Sequence, residues 1–395
     1  MHPAYSIVVV IALSTVALPA TAACMYLLIL TCLSARPASP PRSSRKIFFD
    51  VIVPAHDEAA GIGKTISSLK RLSWPSAQYR IVVVADNCSD ATASVSLDAG
   101  ATVLERQDST RRGKGYALAH AFNWSRSVGL ADAVAVVDAD SVVSENLLES
   151  FAARIDAGVC ALQAHYGVLN AMDSWRTRLM AIALGSIHKV RSRARERMGL
   201  SCGIRGNGWC VTHALLDKMP YRSFSLTEDI EFGIDLGLGG YRIAYCDESH
   251  VNGEMVTTEQ AARSQRQRWE GGRMGLVREK LPALLHAAVA RRSLVCLDLA
   301  LDLLVLPLSY VVANVIGIIV IGALSPGGFR PALLVVGFID LLALTAYVCR
   351  GWILSGIGIV GFWDFLRVPG FLFWKLLVIR FQPKAETWIR TKRER

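Results

Sequence analysis

The sequence predicts an α/β domain, Rossmann-like with a mainly parallel sheet, carried between apolar segments at the two ends of the chain. Three observations predict it. Apolar strand-like runs alternate with helix-like ones from residue 48 to residue 137, and such alternation implies parallel strands joined by right-handed crossovers. The run 133–137 is wholly apolar and leads straight into Asp138 and Asp140, as a strand buried on both faces does when it delivers ligands at its carboxyl end. The third observation is the pair of apolar regions, one at 5–33 and one from 294 onward.

Composition narrows the function classes. The 395 residues are 52% hydrophobic, with a mean hydropathy of +0.35, which points to membrane elements beside a large domain. The formal charge of +10 raises the question of nucleic acid, so the placement of the charge decides. Residues 375–395 carry seven Lys or Arg against two Glu, so half the excess lies in a tail that follows apolar segments. That placement fits anionic membrane lipids and not a DNA groove. Nine cysteines without a CxxC pair argue against a zinc site or a disulfide frame.

In chain order, 5–33 is uncharged and longer than the ~20 residues a helix needs to cross a bilayer. A cleaved signal is the rival reading, but no Lys or Arg precedes the run and it continues past Ala22 and Ala23. The linker 35–47 holds Pro37, Pro40 and Pro41 with Arg36, Arg42, Arg45 and Lys46, which places the following domain in the cytosol by the positive-inside rule. Strands are expected at 48–53, 79–85, 101–106 and 133–137, and helices at 62–72, 90–99 and 116–128. Ligands should then gather at 54–58, 86–90 and 138–140.

Asp138 and Asp140, one residue apart, repel each other unless a cation sits between them, and an all-oxygen pair suits Mg²⁺ or Mn²⁺. A solvated turn is the plainer reading of these two residues alone. The stretch GIGKT at 61–65 resembles the end of a P-loop, but that motif's first glycine falls on Glu58. In RRGKGYAL at 111–118, Gly113 and Gly115 would let backbone approach a phosphate while Lys114 supplies charge; a basic turn capping a helix explains it equally well.

PAHDE at 54–58, VVADNCSDATA at 83–93, RRGKGYAL, VVDAD at 136–140, LTED at 226–229 and QRQRW at 265–269 follow one another in order. As an ordered set they resemble membrane-bound, inverting family-two glycosyltransferases, which have the GT-A nucleotide-sugar fold and include cellulose, chitin and hyaluronan synthases. The resemblance implies that Glu58 and Asp86 hold uridine, with Lys114 near the nucleotide or its phosphates. It gives Asp138 and Asp140 the metal and diphosphate, and Asp229 the part of general base. Glu228, Gln265, Arg268 and Trp269 would serve the acceptor and diphosphate.

The chemistry calls for those residue types. Displacing a nucleoside diphosphate from an anomeric carbon builds charge on the leaving phosphate, and the acceptor hydroxyl must lose its proton. Thr227, Glu228 and Asp229 also read as a capped helix start, which is compatible with mounting a base there. QRQRW reads alternatively as a basic helix at a membrane surface, and 171–198, rich in arginine, as a helix beneath the bilayer shaping the acceptor site or as a solvated face. Two departures from the polymerising relatives bear on the acceptor: Asn87 follows Asp86, and 206–209 reads Gly-Asn-Gly-Trp.

Beyond Arg291 and Arg292, 294–324 reads as one membrane span with Asp298 and Asp302 near its cytosolic end, reaching the interface or those two arginines. A second span returns over 332–349, and 351–381 is broken by charges and Pro369, as interfacial helices are. The expected layout is an anchor at 1–34, a linker at 35–47, the GT-A domain at 48–285, two membrane helices in 294–350, and interfacial helices with a basic cytosolic tail at 351–395. The protein expected from this layout is a multi-pass one of a bacterial-type plasma membrane, with its catalytic domain in the cytosol. Its partners are a nucleotide sugar, most simply UDP-linked, and a lipid-linked or saccharide acceptor in exopolysaccharide or envelope glycan synthesis; oligomerisation is left open. The alternatives are a processive polysaccharide synthase and a non-catalytic membrane scaffold whose nucleotide-sugar fold has decayed.

Overall fold

Strand β1 (Phe49–Ala55) turns Val51 and Val53 into one core and Ile52 into another, so the run Val51–Ile52–Val53 is apolar without alternation. The computed structural model to which it belongs describes residues 3–256, 259–325, 329–368 and 370, with side chains except those of 3–16, 259–270 and 329. Helix α1 (Pro3–Cys32) precedes the linker. After β1 come α2 (Ile62–Leu69), β2 (Tyr79–Asp86), α3 (Thr92–Asp98), β3 (Thr102–Arg106), α4 (Lys114–Val128) and β4 (Ala133–Val136). The expected elements of this half are all present, within a few residues of their expected ends.

The second half adds β5 (Ser141–Val143), α5 (Leu147–Asp156), β6 (Ala161–Val168), α6 (Trp175–Leu184), a π-helical segment (Gly185–Val190) and α7 (Arg191–Arg197). It continues with β7 (Trp209–Thr212), α8 (His213–Lys218), α9 (Glu228–Leu238), β8 (Ala244–Gly253) and α10 (Glu259–Ala290). The sheet order is β3-β2-β1-β4-β7-β6-β8-β5. Pairs β3–β2, β2–β1 and β1–β4 are parallel, which brings their carboxyl ends to one edge. From β4 onward the sheet is mixed: β7 runs antiparallel to both β4 and β6, β5 is antiparallel to β8, and β6–β8 is parallel. Of the added strands, β5 and β7 are short, and β8 with its AYCDESHVNG sequence is too polar to read as a strand.

Two apolar layers sandwich the sheet. On one face α2 and α5 bring Ile62, Ile66, Leu147 and Phe151 against Val51 and Val53. On the other, α4 and α9 bring Leu118, Phe122 and Phe232 against Ile52, Trp209 and Tyr245. These large fully buried side chains each contribute roughly 1.5–3 kcal/mol by leaving water, which fixes the strand ends that carry the site.

Then follow α11 (Leu294–Leu304), α12 (Leu308–Leu324), α13 (Phe329–Ser355) and α14 (Ile359–Asp364). Among the described residues one helix, Arg330–Ser355, is long and apolar enough to cross a membrane, and Ala17–Cys32 is a shorter apolar helix. The single span expected over 294–324 is instead two helices bent by 72°, broken before Pro307, whose ring cannot continue the helix. Asp298 and Asp302 do not reach Arg291 and Arg292. They meet Arg195, Arg191 and Arg205, so those basic residues are neither a solvated face nor a surface stripe.

Candidate active site

The parallel registers bring the ends of β1, β2 and β4 to a common mouth, from which the loop 54–58, Asp86 and Asp138 emerge. Asp86 is buried, and Arg106 Nη1 lies 2.5 Å from its Oδ1. The two are register partners across β2 and β3. Beside them, Asn87 adopts φ 51°, a conformation asparagine tolerates better than most residues. Its amide donates to Asp86 Oδ1 at 3.0 Å and its carbonyl accepts from the Asp108 N–H at 2.8 Å, so this departure has a local structural cause. Glu58 sits nearby at the end of the β1 loop, its N–H donating to Thr92 Oγ1 at 2.8 Å. Asp57, Cys88 and Asp90 lie close enough together to suggest a metal cluster. Asp57 accepts from the N–H and hydroxyl of Ser89, and Asp90 from Thr92 and the Ala59 N–H, which accounts for the acids as turn builders.

The turn carrying Asp138 and Asp140 is braced from two sides. Asn207, fully buried, accepts from the Asp138 N–H at 3.0 Å and donates to Ser141 Oγ at 2.7 Å, and that hydroxyl donates to Asp140 Oδ1 at 3.1 Å. From α2, Thr65 Oγ1 donates to the Ala139 carbonyl at 2.7 Å and accepts from the Ser141 N–H at 3.1 Å. The threonine of the rejected P-loop look-alike thus has a structural task. Gln163 of β6 holds the loop that supplies Asn207, accepting from the Arg205 N–H at 2.8 Å and donating to the Asn207 carbonyl at 2.7 Å.

Lys114 joins three motifs that are far apart in sequence. Its Nζ lies 2.6 Å from Asp138 Oδ1 and 3.9 Å from Glu228 Oε1, and it donates to the Gly206 carbonyl at 2.5 Å. Gly115 lets this happen: a Cβ there would meet the Ser223 carbonyl oxygen at 2.4 Å, so only glycine lets the start of α4 approach the 223–229 segment. Gly206, at φ 88°, is the second such position, since a Cβ would stand 3.2 Å from Asp229 Oδ2.

Glu228 and Asp229 open α9 as expected, where the helix dipole favours anions. The Thr227 side chain does not cap the helix; its buried hydroxyl has no hydrogen-bond partner and packs against Gly272. Burial raises the Glu228 carboxyl to about 8, with Lys114 opposing and the charges of Asp229 and Asp138 adding to the rise. Burial also raises Asp229, against the pull of Lys114 and its own helix N–H groups. Asp138 is raised by burial and by Asp140 and Asp229, again with Lys114 opposing. Burial by itself would lower Lys114, but Asp138 and Glu228 outweigh it and push the ammonium up.

Asp138, Glu228 and Asp229 lie around the Lys114 ammonium, with Asp140 beside Asp138. Asp138 and Asp140 supply hard oxygen donors at the mouth, so the residues present fit a divalent Mg²⁺ or Mn²⁺ ion. Gln265, Arg268 and Trp269 fall on α10, but their side chains lie outside the described residues. Trp209 is wholly buried between Phe122 and Phe232, so the Gly-Asn-Gly-Trp stretch offers the site its backbone and the Asn207 amide and not an aromatic platform. Sequence reasoning missed Arg106, Asn207, Thr65 and Gln163. Of these, Arg106 was open to discovery as the strand-end neighbour of Asp86.

Residues 46–272 match the family described as "Glycosyltransferase like family 2". Among curated proteins, Beta-monoglucosyldiacylglycerol synthase of Trichormus variabilis is 29% identical over 233 residues, covering 57% of this chain and 49% of that protein. Probable glucomannan 4-beta-mannosyltransferase 1 of Arabidopsis thaliana is 25% identical over 240 residues, covering 58% and 43%. The chain spans about half the length, 49%, of the first of these relatives. Among solved structures, the mannosyltransferase PcManGT from Pyrobaculum calidifontis, in complex with GDP-Man and Mn²⁺, superposes with a TM-score of 0.54 at 17% identity, covering 89% of this chain and 99% of that one. The ordered motifs, the shared mouth of β1, β2 and β4 and the match over 46–272 lead to one conclusion: the chain belongs to glycosyltransferase-like family 2 and has a GT-A-type fold.

Proposed function

We propose that the protein transfers a sugar, with inversion, from a nucleoside diphosphate sugar to a lipid-linked acceptor at a membrane. The observation that carries this reading is the meeting of Asp138, Lys114, Glu228 and the Asp229 helix start at one strand mouth. Glu58 and Asp86 take the nucleobase side, with Arg106 fixing the Asp86 carboxylate, and by the resemblance the nucleoside is uridine. Lys114 takes the phosphate side. Asp138 and Asp140 would hold a divalent ion, which when bound supplies Lewis-acid neutralisation of the leaving diphosphate. Asp229 accepts the proton of the acceptor hydroxyl; a carboxyl raised by burial is a better base than a solvated one, and such catalysis contributes typically ~10²- to 10⁴-fold. Glu228, Gln265, Arg268 and Trp269 serve the acceptor and diphosphate.

The layout we infer keeps the domain 48–285 in the cytosol, anchored by membrane helices in 1–34 and 294–350 and followed by interfacial segments and a basic tail. The relative named for monoglucosyldiacylglycerol supports addition of one sugar to a lipid, whereas the one named for glucomannan keeps processive synthesis as the second reading. The test is the product made by purified protein in liposomes, given a panel of nucleotide sugars and extracted lipids. A lipid lengthened by one sugar supports the proposal. A long polysaccharide protected inside the vesicles overturns the single-addition part, and no transfer from any nucleotide sugar overturns the whole.

A further inference from the structure

Beside the loop that carries Gly206, a cleft lies between α9, α10 and α11, its lining made of the charged Arg205, Arg273 and Asp302 together with the apolar Ile230, Ile234, Leu299 and Leu303. Its charges do not balance. Asp302 shares Oδ1 between Arg191 at 2.9 Å and Arg195 at 2.8 Å, while Asp298 takes Arg195 Nε at 2.8 Å and the Tyr26 hydroxyl at 2.8 Å. Arg205 is left with two long contacts of 3.4 Å to Asp302 Oδ2, and its buried Nε has no hydrogen-bond partner. The Arg273 guanidinium donates to the main-chain carbonyls of Asp302 and Val305, the latter at 2.8 Å. Four arginines thus surround two aspartates, and the two guanidiniums that face the cleft are those with the weakest counter-charge. Desolvated cations in that condition are costly unless an anion completes them.

The position of the cleft says what the anion would be attached to. Gly206, next to Arg205 in the chain, touches Asp229 on one side and receives Lys114 on its carbonyl, so the loop separates the acidic mouth from the arginine cleft. Leucine and isoleucine from α9 and α11 line the same cleft, and α11 is itself the first half of the apolar bent pair. A ligand with a charged head and an apolar tail matches that lining, whereas a free anion would leave the apolar walls unused.

We propose that this cleft binds a phosphate-bearing amphiphile, the acceptor lipid itself, with Arg205 and Arg273 as counter-charges to its head and Leu299, Leu303 and Ile234 along its first apolar carbons. The inference rests on the reading of Asp229 as the base that faces the acceptor, and it narrows the acceptor class from any lipid to an anionic one.

Calorimetric titration of the full chain in maltoside micelles tests it with three probes: dodecyl phosphate, dodecanol and inorganic phosphate. Dodecyl phosphate should bind at least about tenfold more tightly than either of the others, and Arg205→Gln and Arg273→Gln should each weaken it by about tenfold, the scale of one charge-assisted contact. UDP affinity, measured alongside, should stay unchanged and reports that each variant is folded. Leu303→Trp touches no charge and narrows the apolar end, so it should weaken dodecyl phosphate but not inorganic phosphate; it decides the matter if the arginine variants do not fold. Equal affinity for dodecanol, parent-like binding in the variants, or inorganic phosphate matching dodecyl phosphate would each overturn the proposal. Asp229→Asn should bind dodecyl phosphate like the parent while losing transfer, which separates failure of the cleft from failure of the base assignment.

Discussion

The Lys114 ammonium lies 2.6 Å from Asp138 Oδ1, so the lysine sits on one of the carboxylates expected to receive the divalent ion. Without donor, lysine and metal compete for the same oxygen; with donor, the diphosphate gives the lysine an alternative partner. Lys114→Met should therefore bind Mn²⁺ more tightly than the parent in the absence of nucleotide, by about tenfold, while UDP binding weakens by a similar factor. Manganese EPR and UDP titration read the two effects separately. A variant in which both affinities fall together would place the lysine outside this competition.

Asp140→Asn keeps the hydrogen bond from Ser141 within reach of its amide oxygen and so leaves the turn braced. It removes one anionic donor of two, so transfer should fall by at least about 10²-fold, and metal-dependent UDP binding should weaken. Thermal melts should be nearly unchanged. Full transfer by the parent in EDTA would refute the metal assignment itself.

Asp229→Asn keeps size and removes basicity. The transfer rate should drop by about 10²- to 10⁴-fold, with UDP affinity held within about twofold. If UDP affinity declined in step with the rate, Asp229 would be a donor ligand and not a base.

Glu228 gives a stability test with a definite sign. Its folded carboxyl titrates near 8, above the ordinary 4.5. For a raised acid, the contribution to stability is fully present below the unfolded value and is lost as pH rises through the folded one. Glu228→Gln, which cannot ionise, should thus gain melting temperature relative to the parent between about pH 5 and about pH 9, measured in EDTA without donor. An offset that is the same at both ends of that range would show that Glu228 does not hold a proton in the fold.

The parallel half of the sheet was legible because doubly buried strands must be apolar throughout, as in Val51–Ile52–Val53 and Val82–Val83–Val84. The acids at strand ends followed from that topology, and Lys114 came from its glycine neighbours. The mixed half was hidden because β7 is four residues long and β8 carries Asp247, Glu248, Ser249 and His250 among its partners. Asn207 could not be found from pattern: its value lies in two hydrogen bonds to a turn 69 and 66 residues earlier. Arg191 and Arg195 of α7 could be read as part of a solvated face because their counter-ions, Asp302 and Asp298, come from a helix more than 100 residues later.

The bracing of the acid turn by Asn207 also sets an order of assembly. During synthesis the chain can pair β1, β2, β3 and β4 as soon as residue 136 has emerged, because those parallel contacts lie within the first third of the sequence. At that stage the turn has Thr65 on one flank and nothing on the other. Only when β7 slots in beside β4, placing Asn207 against Asp138 and Ser141, does the turn become fixed, and β7 in turn depends on β6. The parallel half of the sheet thus needs nothing from the residues that complete the brace of its acid turn. A nascent chain halted before residue 207 would have the strands of the parallel core and the Thr65 brace but not the Asn207 one.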